Sequence, residues 1–329
     1  MRARQDSLGP LVKPLEPISL SEIHAARERI AGSILRTPLV RFEHEGERAL
    51  YLKLENLQPI GSFKLRGASN AMAIAERATL AQGVYTASAG NMAQGVAWNA
   101  RRLGIPCTVV VPDSAPRAKL DAIERFGARL LPVPYARLWQ VLVEHTFPWL
   151  AGLFIHPVSD PAVIAGNATI GLELLEDLPD LATAIVPYGG GGLSTGIACA
   201  LRALRPEART FAAEVETAAP LSAALAAGRP TPIEHRTSFV DGIGGRGILE
   251  EMWPLAASVL AGSLVVSLTE IAAAIRTLAT RQRIVAEGAG AAALAAALKS
   301  DLPGPIVCVV SGGNIDPAKL ATILTGGVP

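Results

Sequence analysis

Leu50, Leu52 and Leu54 alternate with Tyr51, Lys53 and Glu55, the period of a strand with one face buried. From there the chain repeats one pattern: a short β-branched or apolar run, a turn of small residues, then apolar positions at helical spacing. The pattern predicts strands at 83–87, 107–111, 129–133, 182–186, 210–215 and 305–310. The helices that follow them are predicted at 92–103, 116–126, 136–146, 193–204, 218–227 and 317–324. Gly104 and Gly127 stand where a left-handed residue stops a helix, and Pro116 falls in a first turn, where its missing N–H is no loss. Ahead of these, Ser19 and Glu22 make a capping box for a helix running to about residue 34. Pro10, Pro14 and Pro17 mark the first twenty residues as a poorly structured arm, and the alanine-rich stretch 271–298 fits closely packed helices.

Strand and helix in alternation imply parallel strands joined by right-handed crossovers, with helices on both faces. Ligands in such sheets sit beyond the carboxyl ends of the strands, so the residues just after each strand are the ones to search for chemistry. No low-complexity linker divides the chain. Boundaries near 76–83 and 156–161 give a large domain of residues 1–77 and 159–329 with a small domain, 78–158, inserted into it.

Composition narrows the classes. At 329 residues, 50% hydrophobic and 18% charged, the chain has enough apolar material for a sizeable core and is not a disordered polymer. Thirty basic against twenty-nine acidic residues leave a net charge of +1, so no field favours nucleic acid or an anionic membrane. Cys107, Cys199 and Cys308 lie in or beside apolar runs without CxxC spacing, as expected of reduced core thiols in a cytoplasmic protein. The N-terminal segment lacks the apolar run of a signal peptide. The longest nearly charge-free helical run, 288–298, falls well short of the roughly 20 residues that cross a bilayer.

Four segments at strand ends carry polar or glycine-rich character. Lys64, in the segment 56–67, falls in a first helical turn, where the positive dipole end disfavours a cation and lowers an amine's pKa, as a nucleophilic lysine requires. The bland alternative there is a solvated lysine beside a turn. Gly189, Gly190, Gly191 and Gly192 precede a helix and can close backbone N–H groups around an anion, a phosphate above all. Without a lysine the stretch is no P-loop. Gly190, Gly192 and Gly196, with Glu214 ending the next strand, approximate a dinucleotide fingerprint, so an NAD-dependent enzyme is a rival reading, although the spacing is one residue too long. Gly192, Ser194 and Gly196 also satisfy the nucleophile-elbow pattern of hydrolases, whose later histidine would have to be His235. Ser88, Ala89, Gly90 and Asn91 suit a carboxylate and a ligand hydroxyl, and Ser311–Asn314 is a further turn after a strand.

Taken in order, SFKLRGA at 62–68, SAGN at 88–91, GGGGLSTG at 189–196 and VVSGGNID at 309–316 resemble the fold-type II pyridoxal-phosphate enzymes, specifically the threonine/serine dehydratase and serine racemase family. KLENLQ at 53–58, HPVSDPAVIAGNATIGLE at 156–173 and EGAGAAALAA at 287–296 extend the likeness, which runs from about residue 18 to 324. The resemblance implies an α/β fold of two lobes, each a mostly parallel twisted sheet with helices on both faces, like the tryptophan synthase β subunit. It also implies that the large domain binds pyridoxal 5'-phosphate, and that the chain is the short form without a regulatory domain. By the same resemblance Lys64 would carry the cofactor covalently and act as catalytic base, Gly189–Gly192 would hold the phosphate, Asn91 would bind the ring hydroxyl, Ser311 would face the pyridine nitrogen and Phe63 would pack on the cofactor. Ser88, Ala89, Gly90 and Asn91 would receive the carboxylate of an amino-acid substrate, and family members are commonly homodimers or homotetramers.

The implied reaction is dehydration and deamination of a β-hydroxy-α-amino acid, L-threonine, L-serine or a bulkier analogue, to a 2-keto acid and ammonia. A hydroxyl at Ser311 cannot stabilise a pyridinium as a carboxylate would, which favours prompt loss of a β-substituent over transamination. Racemisation and β-replacement are the family's other outcomes, and a binding protein without turnover is the alternative outside enzymes. Ala89 stands where a racemase would carry a serine as its second proton carrier, which favours dehydration. Met92 replaces a common histidine and would make a pocket wall apolar, and Asn167 replaces a common glutamine. The family's divalent-cation site would use Glu214, the Ala218 carbonyl and an aspartate at position 220. Pro220 breaks that pattern, so no metal is expected. Arg137 lies near where some relatives bind a carboxylate but reads as a solvated side chain, residues 239–245 as a turn or the border of the substrate entrance, and the five histidines as structural or surface groups.

Overall fold

The computed structural model describes residues 13–329 apart from positions 45 and 47. Among the described residues ten strands form two sheets. They are β1 (Leu39–Phe42), β2 (Leu50–Lys53), β3 (Val84–Ala87), β4 (Cys107–Pro112), β5 (Arg129–Val133), β6 (Leu153–Phe154), β7 (Thr183–Pro187), β8 (Arg209–Val215), β9 (Gly262–Val266) and β10 (Ile306–Val309). One sheet has the order β1-β2-β10-β7-β8-β9, the other β5-β4-β3-β6. Every pairing is parallel except β1 with β2, an antiparallel edge. The strands that approach the site, β3, β7 and β10, are buried at every residue, because helices cover both faces.

The six predicted strand–helix pairs are present with ends shifted by a few residues. Gly104 and Gly127 do sit at positive φ. Strands β1, β6 and β9 and the helices Pro161–Asp177 and Trp253–Val259 carry weaker signals. The Pro161–Asp177 helix is buried along most of its length, so it has no polar face to reveal its period, though Asp160 caps it through the Ala162 N–H and Pro161 fills its first turn.

Four expectations need correction. Of the expected N-terminal arm, residues 1–12 lie outside the described residues. The remainder is docked: the Leu15 N–H donates to the Glu251 carbonyl, and Leu15 and Ile18 pack on the core. At Ser19 only half of the capping box forms, because the Glu22 carboxylate turns to Arg29 at 2.8 Å. Met92 is 1% exposed and packs with Ala68, Met72 and Val96, so it is a core residue rather than a pocket wall. Arg137 is not a freely solvated cation, since its guanidinium lies 5.1 Å from the Phe147 ring and 5.4 Å from that of Trp149.

Candidate active site

The turn before the Lys64–Ala73 helix is tied to the end of β10. Ser62 bridges to Gly312, and the Phe63 N–H donates to the Ser311 carbonyl at 3.0 Å. Gly61 at φ +72 leaves room for Asn314, whose Oδ1 would lie 2.7 Å from any Cβ there. The helix is then locked on its far side. Arg66, wholly buried, meets Glu55 at 2.8 Å and Glu173 at 2.7 Å, and Lys53 meets Glu173 at 2.5 Å. Thr37 donates its hydroxyl to Glu55, and Lys53 donates to the Thr37 carbonyl. Two buried cations and two buried anions thus cancel, with their remaining hydrogen-bonding groups met, the condition under which such a cluster is tolerated. A Cβ at Gly166 would lie 2.5 Å from the Arg66 carbonyl, so this helix and Pro161–Asp177 touch backbone to backbone.

Lys64 itself faces away from that network. Its Nζ donates to the Pro157 carbonyl at 2.6 Å and lies 5.1 Å from the centre of the Phe63 ring. Desolvation by the surrounding protein lowers the amine to about 8. The Phe63 ring also reaches the cluster of Leu193, Ile197 and Val309.

The chain after Pro157 leads directly to the tetraglycine turn. A Cβ at Gly190 would lie 2.6 Å from the Val158 side chain, one at Gly192 2.8 Å from the Val158 carbonyl, and one at Gly189 3.2 Å from the Gly242 carbonyl. Gly191 has φ +99. Close packing demands glycine at positions 190 and 192 and backbone shape at 191, and the turn runs straight into the Ser194–Leu204 helix, whose first N–H groups favour an anion. Asn167 donates to the Gly192 carbonyl at 3.2 Å while its own Oδ1 is buried without a partner.

On the other lobe, Ser88 follows β3 and accepts the Gly90 N–H, and Asn91 opens the Asn91–Leu103 helix. Asn91 donates to Glu287 at 2.8 Å and accepts from Asn314 at 2.8 Å, which joins the small lobe to the turn holding Ser311. Ser311 is 2% exposed. Glu287, not singled out from the sequence, is pushed up to about 8 by burial, reinforced by Asp241. Its only sequence signal was its place at the head of EGAG, before a helix. Lys64, the four glycines, Asn91 and Ser311 are therefore linked by direct contacts through Pro157, Val158, Asn314 and Gly312. Ser88, Ala89 and Gly90 adjoin Asn91 on the strand-to-helix turn.

The rival readings fail on geometry. The Glu214 carboxylate accepts the N–H groups of Leu221 and Ser222, each at 2.8 Å, and the Ser263 hydroxyl at 2.5 Å, so it caps the Pro220–Ala227 helix and is not offered to a ribose. Ser194 is 0% exposed and gives its hydroxyl to the Gly191 carbonyl, which removes the hydrolase nucleophile. His156 accepts the Val158 and Ser159 N–H groups on Nδ1, which leaves Nε2 as donor to the Leu142 carbonyl, and burial holds it neutral, down at about 3.

A lysine held short of full protonation beside a glycine anion cradle, on a two-sheet α/β frame, defines an enzyme that carries a phosphorylated carbonyl cofactor. The chain matches the family of pyridoxal-phosphate dependent enzymes over residues 30–312 and belongs to it. It is 40% identical to an L-threonine ammonia-lyase of Geobacter sulfurreducens over 93% of this chain and 78% of that protein. Among solved structures, the T.th. threonine deaminase superposes with a TM-score of 0.85 at 35% identity, covering 91% of this chain and 99% of the other. Maize serine racemase also gives 0.85, at 30% identity over 94% and 99%. The residues fit the cofactor: side chains at Gly190 and Gly192 would collide with Val158, so the turn offers bare backbone, and Lys64 meets no carboxylate among the described residues. Among the described residues no helix is long and apolar enough to cross a membrane.

Proposed function

We propose that the protein removes water and then ammonia from a β-hydroxy-α-amino acid, L-threonine or L-serine first, and releases the 2-keto acid. The observation that carries this is Lys64: a largely desolvated amine lowered to about 8, one residue from the Phe63 N–H that ties it to the Ser311 turn. When bound, the cofactor supplies an aldehyde for amines and a conjugated ring that accepts electrons released at the substrate Cα. The chain's residues do the rest. The N–H groups of Gly189–Gly192 hold the phosphate, the Ser311 hydroxyl meets the ring nitrogen without adding charge, and Asn91 holds the ring hydroxyl. Residues 1–77 and 159–329 make the cofactor-binding domain, and 78–158 the domain that brings Ser88–Gly90 to the substrate carboxylate. Lys64, with a useful neutral fraction near pH 7, takes the proton from Cα on its own face.

Ala89 supports elimination over racemisation, because a methyl group cannot return a proton from the opposite face. The likeness to maize serine racemase keeps racemisation as the second reading. We place the enzyme in the cytoplasm as a homodimer or homotetramer, in keeping with its three buried free thiols and with its family. The test is a keto-acid release assay across L-threonine, L-serine and phenylserines, with D-serine measured alongside. Keto-acid production that vanishes in Lys64→Ala supports the reading. D-serine as the main product, or keto acid at parental rates from Lys64→Ala, overturns it.

A further inference from the structure

The polar contacts around Asn91 fix the orientation of its carboxamide. Asn314 gives one Nδ2 hydrogen bond to the Ile60 carbonyl at 2.8 Å and another to Asn91 Oδ1 at 2.8 Å. A backbone carbonyl only accepts, so the Asn314 amide cannot turn over, and Asn91 must present Oδ1 to it. The Nδ2 group of Asn91 then points to Glu287, which accepts at 2.8 Å, and one N–H is left over.

Glu287 is built for this contact. It is the N-cap residue of the Gly288–Lys299 helix, yet its carboxyl makes no cap bond and reaches instead to a residue 196 positions away. Its own N–H donates to the Gly312 carbonyl at 3.1 Å. Gly312 is cut away to admit it, since a Cβ there would lie 2.5 Å from Glu287 Oε1 and 3.3 Å from Asn91 Nδ2. Gly242 also borders it, where a Cβ would stand in ordinary contact with Oε1 at 3.5 Å. The charged groups facing it are Asp241, on the turn Asp241–Ile243, and Lys119, on the Arg117–Glu124 helix. These two pair with each other at 2.6 Å. Their effects on Glu287 oppose one another, so no net cation holds the carboxyl in its charged form.

We propose that Glu287 is the positioning residue of the cofactor ring: its carboxyl holds the Asn91 carboxamide so that the spare N–H is left for the ring oxygen. This rests on the assignment of Asn91 to that oxygen. An ionised Glu287 would bring a negative charge close to the ring oxygen, so the arrangement works while the carboxyl keeps its proton and weakens as the pH rises through its titration.

The experiment uses the holoenzyme, with visible absorption and circular dichroism of the bound cofactor followed from about pH 7 to about pH 9 alongside kcat. Glu287→Gln still accepts from Asn91 but cannot ionise, so it keeps the parent's spectrum near pH 7 and loses a pH-dependent spectral change that the parent shows. Glu287→Ala frees the carboxamide, alters the circular dichroism and lowers kcat by roughly ten-fold or more, the scale set by small misplacements of a reacting group. In an Asn91→Ala background the same change adds little. If Glu287→Gln titrates like the parent, or Glu287→Ala leaves both spectrum and kcat within two-fold, the positioning role is wrong while the cofactor reading stands. If Glu287→Ala does not fold, the Glu287→Gln titration decides alone. A parent that takes up no cofactor, with no lysine fixed by borohydride, overturns both.

Discussion

The reactivity of Lys64 offers the most direct test of the site. An ordinary lysine titrates near 10.5, and this one is lowered to about 8 by desolvation, with no anion to offset it. At pH 7 about 9% of such an amine is neutral against about 0.03% of a solvent-exposed one, a roughly 300-fold gain in the nucleophilic form. The Pro157 carbonyl accepts from Nζ in either state, so it does not hold the proton in place as a carboxylate would. The perturbation is a pH series on apoprotein mixed with pyridoxal phosphate, each sample reduced with borohydride after a short interval. Peptide mapping then gives the fraction modified at Lys64, with a short lysine peptide as the fully solvated control. Modification of Lys64 should rise to half its limit near pH 8, while the control peptide keeps climbing beyond about pH 10. The sign follows from the folded state binding its proton less tightly than an unfolded chain does. Charge on Lys64 therefore destabilises the apoprotein below about pH 8, and the penalty fades as the pH rises toward 10.5. Replacing Lys64 by methionine should stabilise the apoprotein at pH 7 by up to about 3 kcal/mol, a ceiling because the side chain borders the cleft. A midpoint above about pH 10 for Lys64 would mean that water reaches the amine freely and that the walls of the site do not govern it.

Gly190→Ala places a methyl group on Val158, and overpacking of about 1–3 kcal/mol should weaken cofactor binding by roughly ten-fold or more; adding Val158→Ala should recover part of it in the same binding titration. Arg66→Met leaves Glu55 and Glu173 buried without their shared partner, so urea unfolding should show a loss of about 3–5 kcal/mol. A loss under about 1 kcal/mol would contradict the burial of that network. Cys107 and Cys308, with thiols pushed up to about 12, should resist a disulfide reagent at pH 8 until urea unfolds the protein.

The strand–helix alternation was legible because each unit declares itself locally: a β-branched run, a small-residue turn, a glycine stop. The turns that line the site were legible for the same reason, since a glycine that admits Val158 or Asn314 is visible as a glycine wherever its neighbour comes from. Partners were not. Arg66 meets Glu173 across 107 positions and Lys53 meets it across 120, and nothing in the local pattern pairs them. Met92 shows the same limit from the other side. Its standing in place of a family histidine invited a pocket role, yet the helical period turns it into the core. The Pro161–Asp177 helix escaped the periodicity because burial on all sides leaves no polar stripe.

Charge is distributed in a way that follows from these contacts. Among the described residues two sets of permanent charges flank the reacting end: the closed set of Lys53, Glu55, Arg66 and Glu173 behind the Lys64 helix, and the Lys119–Asp241 pair. Each set sums to zero. The groups nearest the site, Lys64 at about 8, Glu287 at about 8 and a neutral His156, have all been brought by burial toward their uncharged forms near neutral pH. Strong ion pairs fix the helix so that Lys64 cannot drift, while the groups around it leave its protonation unbiased. A base that must give up and regain one proton in each turnover works best when neither state is locked by a neighbour. Replacing Ser311 with an aspartate would break that pattern at the ring nitrogen, and is the substitution expected to shift the protein away from elimination.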